Sequence, residues 1–224
     1  MRNLLISTLA AVLCAASLAG TTSSPAAARE KDTIIAMTGV IHPGAYEVFH
    51  TVVAQANPNL VVVSGPGGDL GTALRIATEV RRRGFDTAIP QGEYCASACA
   101  VIFLSGRTKY IARGAKLGLH SASNLDGSHS REGTAIMGRF LTKIGVPRGV
   151  IARMEQRRGN DMYWLGESDK RALRIVAIGA TLPGAAAPGR SATKTARRVE
   201  TKVAPRKPAS AYRTLPNGVI MKVR

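Results

Sequence analysis

Ser97 sits at the centre of Cys95-Ala96-Ser97-Ala98-Cys99, and this pentapeptide runs straight into the apolar block Ala100-Val101-Ile102-Phe103-Leu104. The stretch reads as a polar-ended strand turning sharply into a buried helix, with one hydroxyl at the corner. A hydroxyl on the first helical turn meets unpaired N–H groups and the positive end of the helix dipole, which suits a nucleophile. The same position is the ordinary place of an N-cap serine, and capping serines outnumber catalytic ones. Two further features bear on that choice. Ser64-Gly65-Pro66-Gly67-Gly68-Asp69 puts glycines where a strand turns into a helix, so bare backbone N–H groups can point outward and hold an oxyanion or a phosphate. It lacks the GxxxxGK[ST] lysine, which argues against a nucleotide P-loop. His120 closes a β-rich stretch over 109–119. A serine, a base within its reach and a pair of oxyanion donors are the parts of an acyl-transfer site. A lone histidine is more often structural than basic, and this applies more strongly to His42, His50 and His129, which fall in loops or on a helix face.

These groups must be positioned by alternating strands and helices. Residues 33–41 are β-rich and closed by His42-Pro43-Gly44. The segment 46–56 places Val48, Phe49, Val52 and Val53 on one helical stripe. Leu60-Val61-Val62-Val63 is a continuous apolar run suited to a strand buried on both faces. Over 70–83, Leu70, Ala73, Leu74, Ala77 and Val80 line one face, with Arg75, Glu79 and Arg82 opposite, and Gly84 stops the helix. Residues 85–90 are the next strand, followed by the serine corner and its helix to Gly106. Two later helices carry Ile136, Met137, Phe140, Leu141 and Ile144, then Val150, Ile151 and Met154 behind Pro147. The repeated units predict an α/β fold, a mostly parallel sheet flanked by helices, in a single domain over 29–182. In such sheets sites gather at the carboxyl ends of strands, where the glycine turn, Ser97 and His120 all fall.

Both ends of the chain differ from this core. Residues 1–28 combine Arg2, an apolar run over 4–18 and Ala26-Ala27-Ala28, the pattern of a secretory signal peptide, and the run is shorter than the roughly 20 residues of a bilayer span. The expected location is therefore periplasmic or secreted. Cys14 belongs to this leader, so export leaves Cys95 and Cys99, which an oxidising compartment could join. A separation of four across a corner is compatible with a disulfide and does not require one. Two cysteines with no nearby histidine or cysteine pair do not complete a zinc site, and no metal or cofactor is expected. The net charge of +17 is concentrated in 183–224, an Ala/Pro-rich segment with ten Lys or Arg against the single Glu200, which predicts a disordered basic tail. A solvated terminus is the plain reading of that tail. An arm for anionic envelope polymers or lipid is the alternative, with nucleic acid ranked last.

The order and spacing of these motifs resemble the Clp-type serine peptidases of the Clp protease/crotonase superfamily, and most closely in character the exported bacterial Clp-like proteins. The resemblance spans about 33–180 and is sharp between Ser64 and His120. It implies a Clp/crotonase-like fold, with Ser97 as nucleophile and His120 as base. It also places the oxyanion donors at the N–H groups of Gly68 and Ala98, and implies a peptide or protein substrate in a protein able to form homo-oligomers. The third triad member falls on Asp161, ahead of Met162-Tyr163-Trp164; the plain reading is a loop-closing aspartate. Asp169 is the substitute, although it reads more as a first-turn helix residue. The chain departs from the family at Tyr94 and Cys95, where smaller residues are usual, and at Arg174, where a glycine is expected. It shows no extension for a stacked-ring chamber, and no ATPase partner is expected outside the cytoplasm.

Two functions compete on this basis: an exported serine hydrolase, expected to be a peptidase, and a catalytically inactive Clp-like scaffold that binds an envelope partner. A serine–lysine variant of the first would use Lys143, which reads more simply as a solvated surface residue. A crotonase-like acyl-CoA enzyme would share the glycine turn but needs no serine, and export separates the chain from CoA.

Overall fold

The computed structural model describes residues 33–158 and 161–183, together with the backbone of two short strands further on, 212–214 and 220–222. Strand β1 (Ile34–Ile41) leads through Gly44 into helix α1 (Ala45–Ala56), and strand β2 (Leu60–Gly68) leads into α2 (Leu70–Arg83). The Asp69 carboxylate caps α2 by accepting the Thr72 N–H at 2.7 Å, and Gly84, at φ 70°, ends it in the left-handed conformation that glycine reaches without strain. Next come β3 (Asp86–Ile89), β4 (Tyr94–Ala96), α3 (Ala98–Leu104), β5 (Lys109–Ala112) and β6 (Lys116–Leu119). The described core closes with α4 (Arg131–Lys143), α5 (Arg148–Glu155), β7 (Tyr163–Trp164), α6 (Glu167–Ala172) and β8 (Ile175–Ile178).

All pairings in the main sheet are parallel except β6 with β7, and the order along it is β7-β6-β4-β2-β3-β5-β8, with β1 on the other edge of β2. Strand β2 organises this arrangement. Its first half, Leu60 to Val62, pairs with β3, and Gly65 further along pairs with Cys95 of β4. The sheet therefore splays at Ser64 and Gly65. This corrects two sequence expectations. Ser97 follows the separate strand β4, not the 85–90 strand. The 109–119 stretch is two strands in different parts of the sheet, divided by a turn in which Ala115 N–H donates to the Ala112 carbonyl and Gly114 takes φ 72°. Arg113-Gly114 marks the break in the sequence, a turn signal that the reading of 109–119 as one β-rich stretch passed over.

The core lies between the sheet and the helices. Phe49 and Val53 of α1, Ile76, Ala77 and Val80 of α2, Phe103 of α3, Leu141 of α4 and Met154 of α5 are fully buried against Val61, Leu117 and Leu119. Each large side chain here contributes roughly 1.5–3 kcal/mol of burial. All seven residues of α3 are buried, which fixes the corner that precedes it.

The expected leader, 1–28, lies outside the described residues. So does the expected tail, apart from strands β9 (Tyr212–Thr214) and β10 (Ile220–Lys222), which pair antiparallel.

Candidate active site

Ser97 occupies the N-cap position of α3 at φ 57°, ψ −126°, a backbone conformation that L-residues seldom adopt, and its side chain makes no capping hydrogen bond. The hydroxyl is thus held at a helix start without serving the helix. Strain of this kind costs about 1–3 kcal/mol and persists where the surroundings enforce it. Two enforcing elements are visible. Cys95 and Cys99 are joined by a disulfide with their Cα atoms 5.3 Å apart, closing a loop around Ser97. The Ser97 N–H donates to the Gly118 carbonyl at 3.0 Å, tying the corner to the strand that leads to His120.

The glycine turn closes on the same corner. A Cβ on Gly67, at φ 96°, would lie 2.7 Å from the Ala96 carbonyl oxygen, 2.8 Å from the Ala98 nitrogen and 2.9 Å from Ser97 Cβ. A Cβ on Gly68, at φ 139°, would lie 2.3 Å from the Ile41 carbonyl oxygen, so β1 forms the other wall of the turn. Only glycine fits either position. Gly67 is the residue that sequence reasoning passed over in favour of Gly68. The signal that could have found it is the pair of adjacent glycines, since one bends the chain and the other permits the close approach.

Strands β4 and β6 run parallel with Ala96 opposite Gly118, and β6 runs antiparallel to β7 with Leu119 opposite Tyr163. This register sets His120 just beyond the end of β6, beside the Ser97 corner. Burial pushes the His120 imidazole below its ordinary range, partly offset by a backbone hydrogen bond at Ser121, which favours the neutral form that can accept a proton. Its Nδ1 is buried and has no hydrogen-bond partner among the described residues.

Asp161 does not supply that partner in this structure: its Oδ2 accepts from Arg157 Nη1 at 3.0 Å, and the carboxylate is more than half exposed. Arg157 Nε is itself buried and unpartnered among the described residues, and the Ser121 N–H donates to the Arg157 carbonyl at 2.9 Å, so the aspartate–arginine pair is tied to the residue next to His120. Asp169 is fully occupied elsewhere. It accepts from Tyr163 Oη at 2.5 Å, Arg153 Nη2 at 2.6 Å and the Gly166 N–H at 3.1 Å, which fixes β7 to the start of α6 as the helical reading expected. Those donors hold its carboxyl below the usual range against the opposing effect of burial.

The remaining candidates have structural roles. Lys143 is exposed in the last turn of α4, where a cation complements the helix dipole. His50 Nδ1 lies 3.1 Å from the buried Glu79, and His129 Nδ1 lies 3.2 Å from Ser121 Oγ. Beside the corner, Tyr94 and Trp164 meet edge to face with ring centroids 6.4 Å apart, and Lys116 Nζ lies 6.0 Å from the Trp164 ring. Both aromatics are more than two-fifths exposed, a wet apolar wall next to Ser97.

The fold containing this corner occurs in solved proteases. A membrane-bound stomatin-specific protease, in a serine-to-alanine mutant, superposes with a TM-score of 0.50 at 17% identity, over 66% of this chain and 81% of that one. ClpP1 from Listeria monocytogenes gives a TM-score of 0.51 at 14% identity, over 65% and 91%. The ClpP protease catalytic domain from Plasmodium falciparum gives 0.50 at 18% identity, over 67% and 87%.

This is the Clp-like fold.

No protein-family model matches the chain, and no curated protein matches it in sequence. At these identities the Clp-like fold is what the superpositions establish. Any chemistry must be argued from the chain's own residues, and the Clp-like core brings three features to one corner: Ser97 without a capping bond, a glycine turn against it, and the half-buried His120 at the end of the neighbouring strand.

Proposed function

We propose that the protein is a serine hydrolase acting on peptide bonds through an acyl-enzyme at Ser97. The observation that carries this reading is the backbone of Ser97, held at φ 57° on a helix start without a capping bond. His120 takes the Ser97 proton as the hydroxyl attacks the scissile carbonyl and returns it to the leaving amine; water then repeats the sequence in reverse. The N–H groups of Gly68 and Ala98 receive the oxyanion, and Gly67 lets the turn approach closely enough for them to act together. Asp161 orients the imidazole by turning from Arg157 to His120 Nδ1, the buried atom that lacks a partner. Tyr94 and Trp164 offer an apolar wall for a substrate side chain. Export through the 1–28 leader would deliver the chain to a compartment that maintains the Cys95–Cys99 disulfide.

A fluorophosphonate probe tests this reading directly. Labelling at Ser97, mapped by mass spectrometry and absent in Ser97→Ala, is the expected result. A folded, oxidised protein that resists labelling at Ser97 would rule the hydrolase reading out. The unpartnered His120 Nδ1 and the engaged Asp161 favour the second reading, a catalytically silent Clp-like scaffold that binds an envelope partner, and that result would leave it standing.

A further inference from the structure

At the amino-terminal ends of β5 and β8, and at the opposite end of α3 from Ser97, lies a cavity of about 300 Å³. Lys109, the first residue of β5, and Arg174, just past α6, reach into its lining, and Leu104, Ile144, Val146 and Leu173 supply apolar wall. Arg81, in the last turn of α2, lies close enough for its charge to act on Lys109.

Among the described residues these three cations have no acidic partner within ion-pair distance, whereas Arg82 and Arg83 of α2, Arg107 before β5 and Lys170 of α6 do. The acids on the packed elements are already engaged. Asp86 of β3 is gripped by Arg107 at 3.0 and 3.2 Å and by the Thr108 N–H. Glu79 of α2 is held by Arg83, Arg82 and His50. On α6, Asp169 is held by Arg153 and Tyr163, and Glu167 by Lys170. The backbone amides of Ile144, Gly145 and Val146 are likewise satisfied by carbonyls of α4. What the cavity presents is uncompensated positive charge beside apolar surface.

Arg174 adds a second, independent observation. It stands at φ 53°, the left-handed position after a helix that glycine normally fills, and its N–H donates to the Arg171 carbonyl at 3.0 Å. An arginine kept where glycine would be unstrained implies a use for its side chain. Lys109 is half-buried, and its ammonium is pulled below the ordinary lysine range, first by burial and then by Arg81 and Arg174. A dianion seated here would reverse that penalty.

We infer that this cavity is an anion site for a small phosphate monoester or inorganic phosphate, bound by Lys109 and Arg174, with Arg81 adding positive charge beside it. Arginine matches phosphate oxygens with two parallel N–H bonds and lysine adds a point charge, while the apolar wall accepts a short organic group. The volume is at the lower end for small-molecule sites. The site lies at the opposite end of α3 from the serine corner and does not depend on any activity there.

The test is thermal denaturation of the full chain against inorganic phosphate, glycerol 3-phosphate and acetate, all at one ionic strength set with chloride. A ligand that binds only the folded state raises the melting temperature by mass action. Both phosphates should raise it and acetate should not; the stronger of the two identifies free or esterified phosphate as the better ligand. Arg174→Gly removes the cation while suiting the backbone, so it should be at least as stable as wild type without ligand and bind phosphate at least tenfold more weakly. Lys109→Gln should show the same loss. A phosphate response that survives Arg174→Gly within twofold would place binding elsewhere, such as the basic 183–224 segment, and overturn the inference. So would an equal response to acetate, or no response in wild type.

Discussion

Gly67 lies against Ser97: a Cβ added to the glycine would stand 2.9 Å from the serine Cβ and 2.7 Å from the Ala96 carbonyl oxygen. The turn at the end of β2 and the corner at the end of β4 are therefore one structural unit. Gly67→Ala should destabilise the protein by about 3 kcal/mol, combining a strained φ with displacement of backbone atoms that cannot move aside cheaply. Urea denaturation measures this. A variant as stable as wild type would mean that the turn and the corner are not in contact.

Ser97 carries backbone strain that glycine would not. Ser97→Gly should raise stability by up to about 1 kcal/mol relative to Ser97→Ala, while both abolish probe labelling and hydrolysis. Paired unfolding curves of the two variants check the order; equal stability would show that the corner is unstrained.

His120 sets the pH response. Its folded-state affinity for a proton lies below the ordinary value of 6.5, so the unfolded chain binds more protons as pH falls through that value. Stability from this group is complete above about 6.5 and declines as pH falls below it. The free-enzyme kcat/KM should show its acid limb in the same region, below 6.5. His120→Gln should flatten the stability profile there and reduce turnover by about 10²–10⁴. An unchanged profile in the variant would assign the titration to another group.

Asp161 and Arg157 form the pair that competes with the imidazole. Asp161→Asn should lower kcat by about 10²–10⁴ with little change in KM, because an orienting carboxylate acts mainly in the transition state. Its loss should leave stability within about 1 kcal/mol, since the ion pair it makes is exposed. A variant with full turnover would leave the catalytic unit as a serine–histidine pair.

The disulfide encloses Ser97 in a short loop, and both cysteines are buried. Replacing both by serine should cost about 2 kcal/mol, the chain-entropy value for so small a loop. Fluorophosphonate labelling should slow at least tenfold in the same variant if the bridge holds the hydroxyl in place. Labelling at the wild-type rate would make the bridge a matter of stability alone.

Local rules made most of the secondary structure readable. The helix over 70–83 follows from its apolar stripe, the Asp69 cap and Gly84, and the buried strand at 60–63 follows from its continuous apolar run. Ser97, the glycine turn and His120 could be singled out because each falls where a strand ends, a position that pattern alone identifies. The chain order of these residues also pointed to the Clp-like fold.

Tertiary structure decided what local pattern cannot encode. Whether 109–119 is one strand or two depends on which strands accept its hydrogen bonds, and β5 and β6 serve opposite parts of a splayed sheet. Whether Ser97 caps its own helix is decided by the geometry of the corner, where its side chain makes no capping bond. The resemblance to Clp-type peptidases implied Asp161 as the partner of the histidine, yet in the structure its carboxylate pairs with Arg157, a competing charge four residues back. The convergence of Lys109, Arg81 and Arg174, distant in sequence, appears only when the amino ends of the strands are brought together. Sequence specifies local preference and spacing; which charges meet, and which are left without a partner, is fixed by packing over long separations.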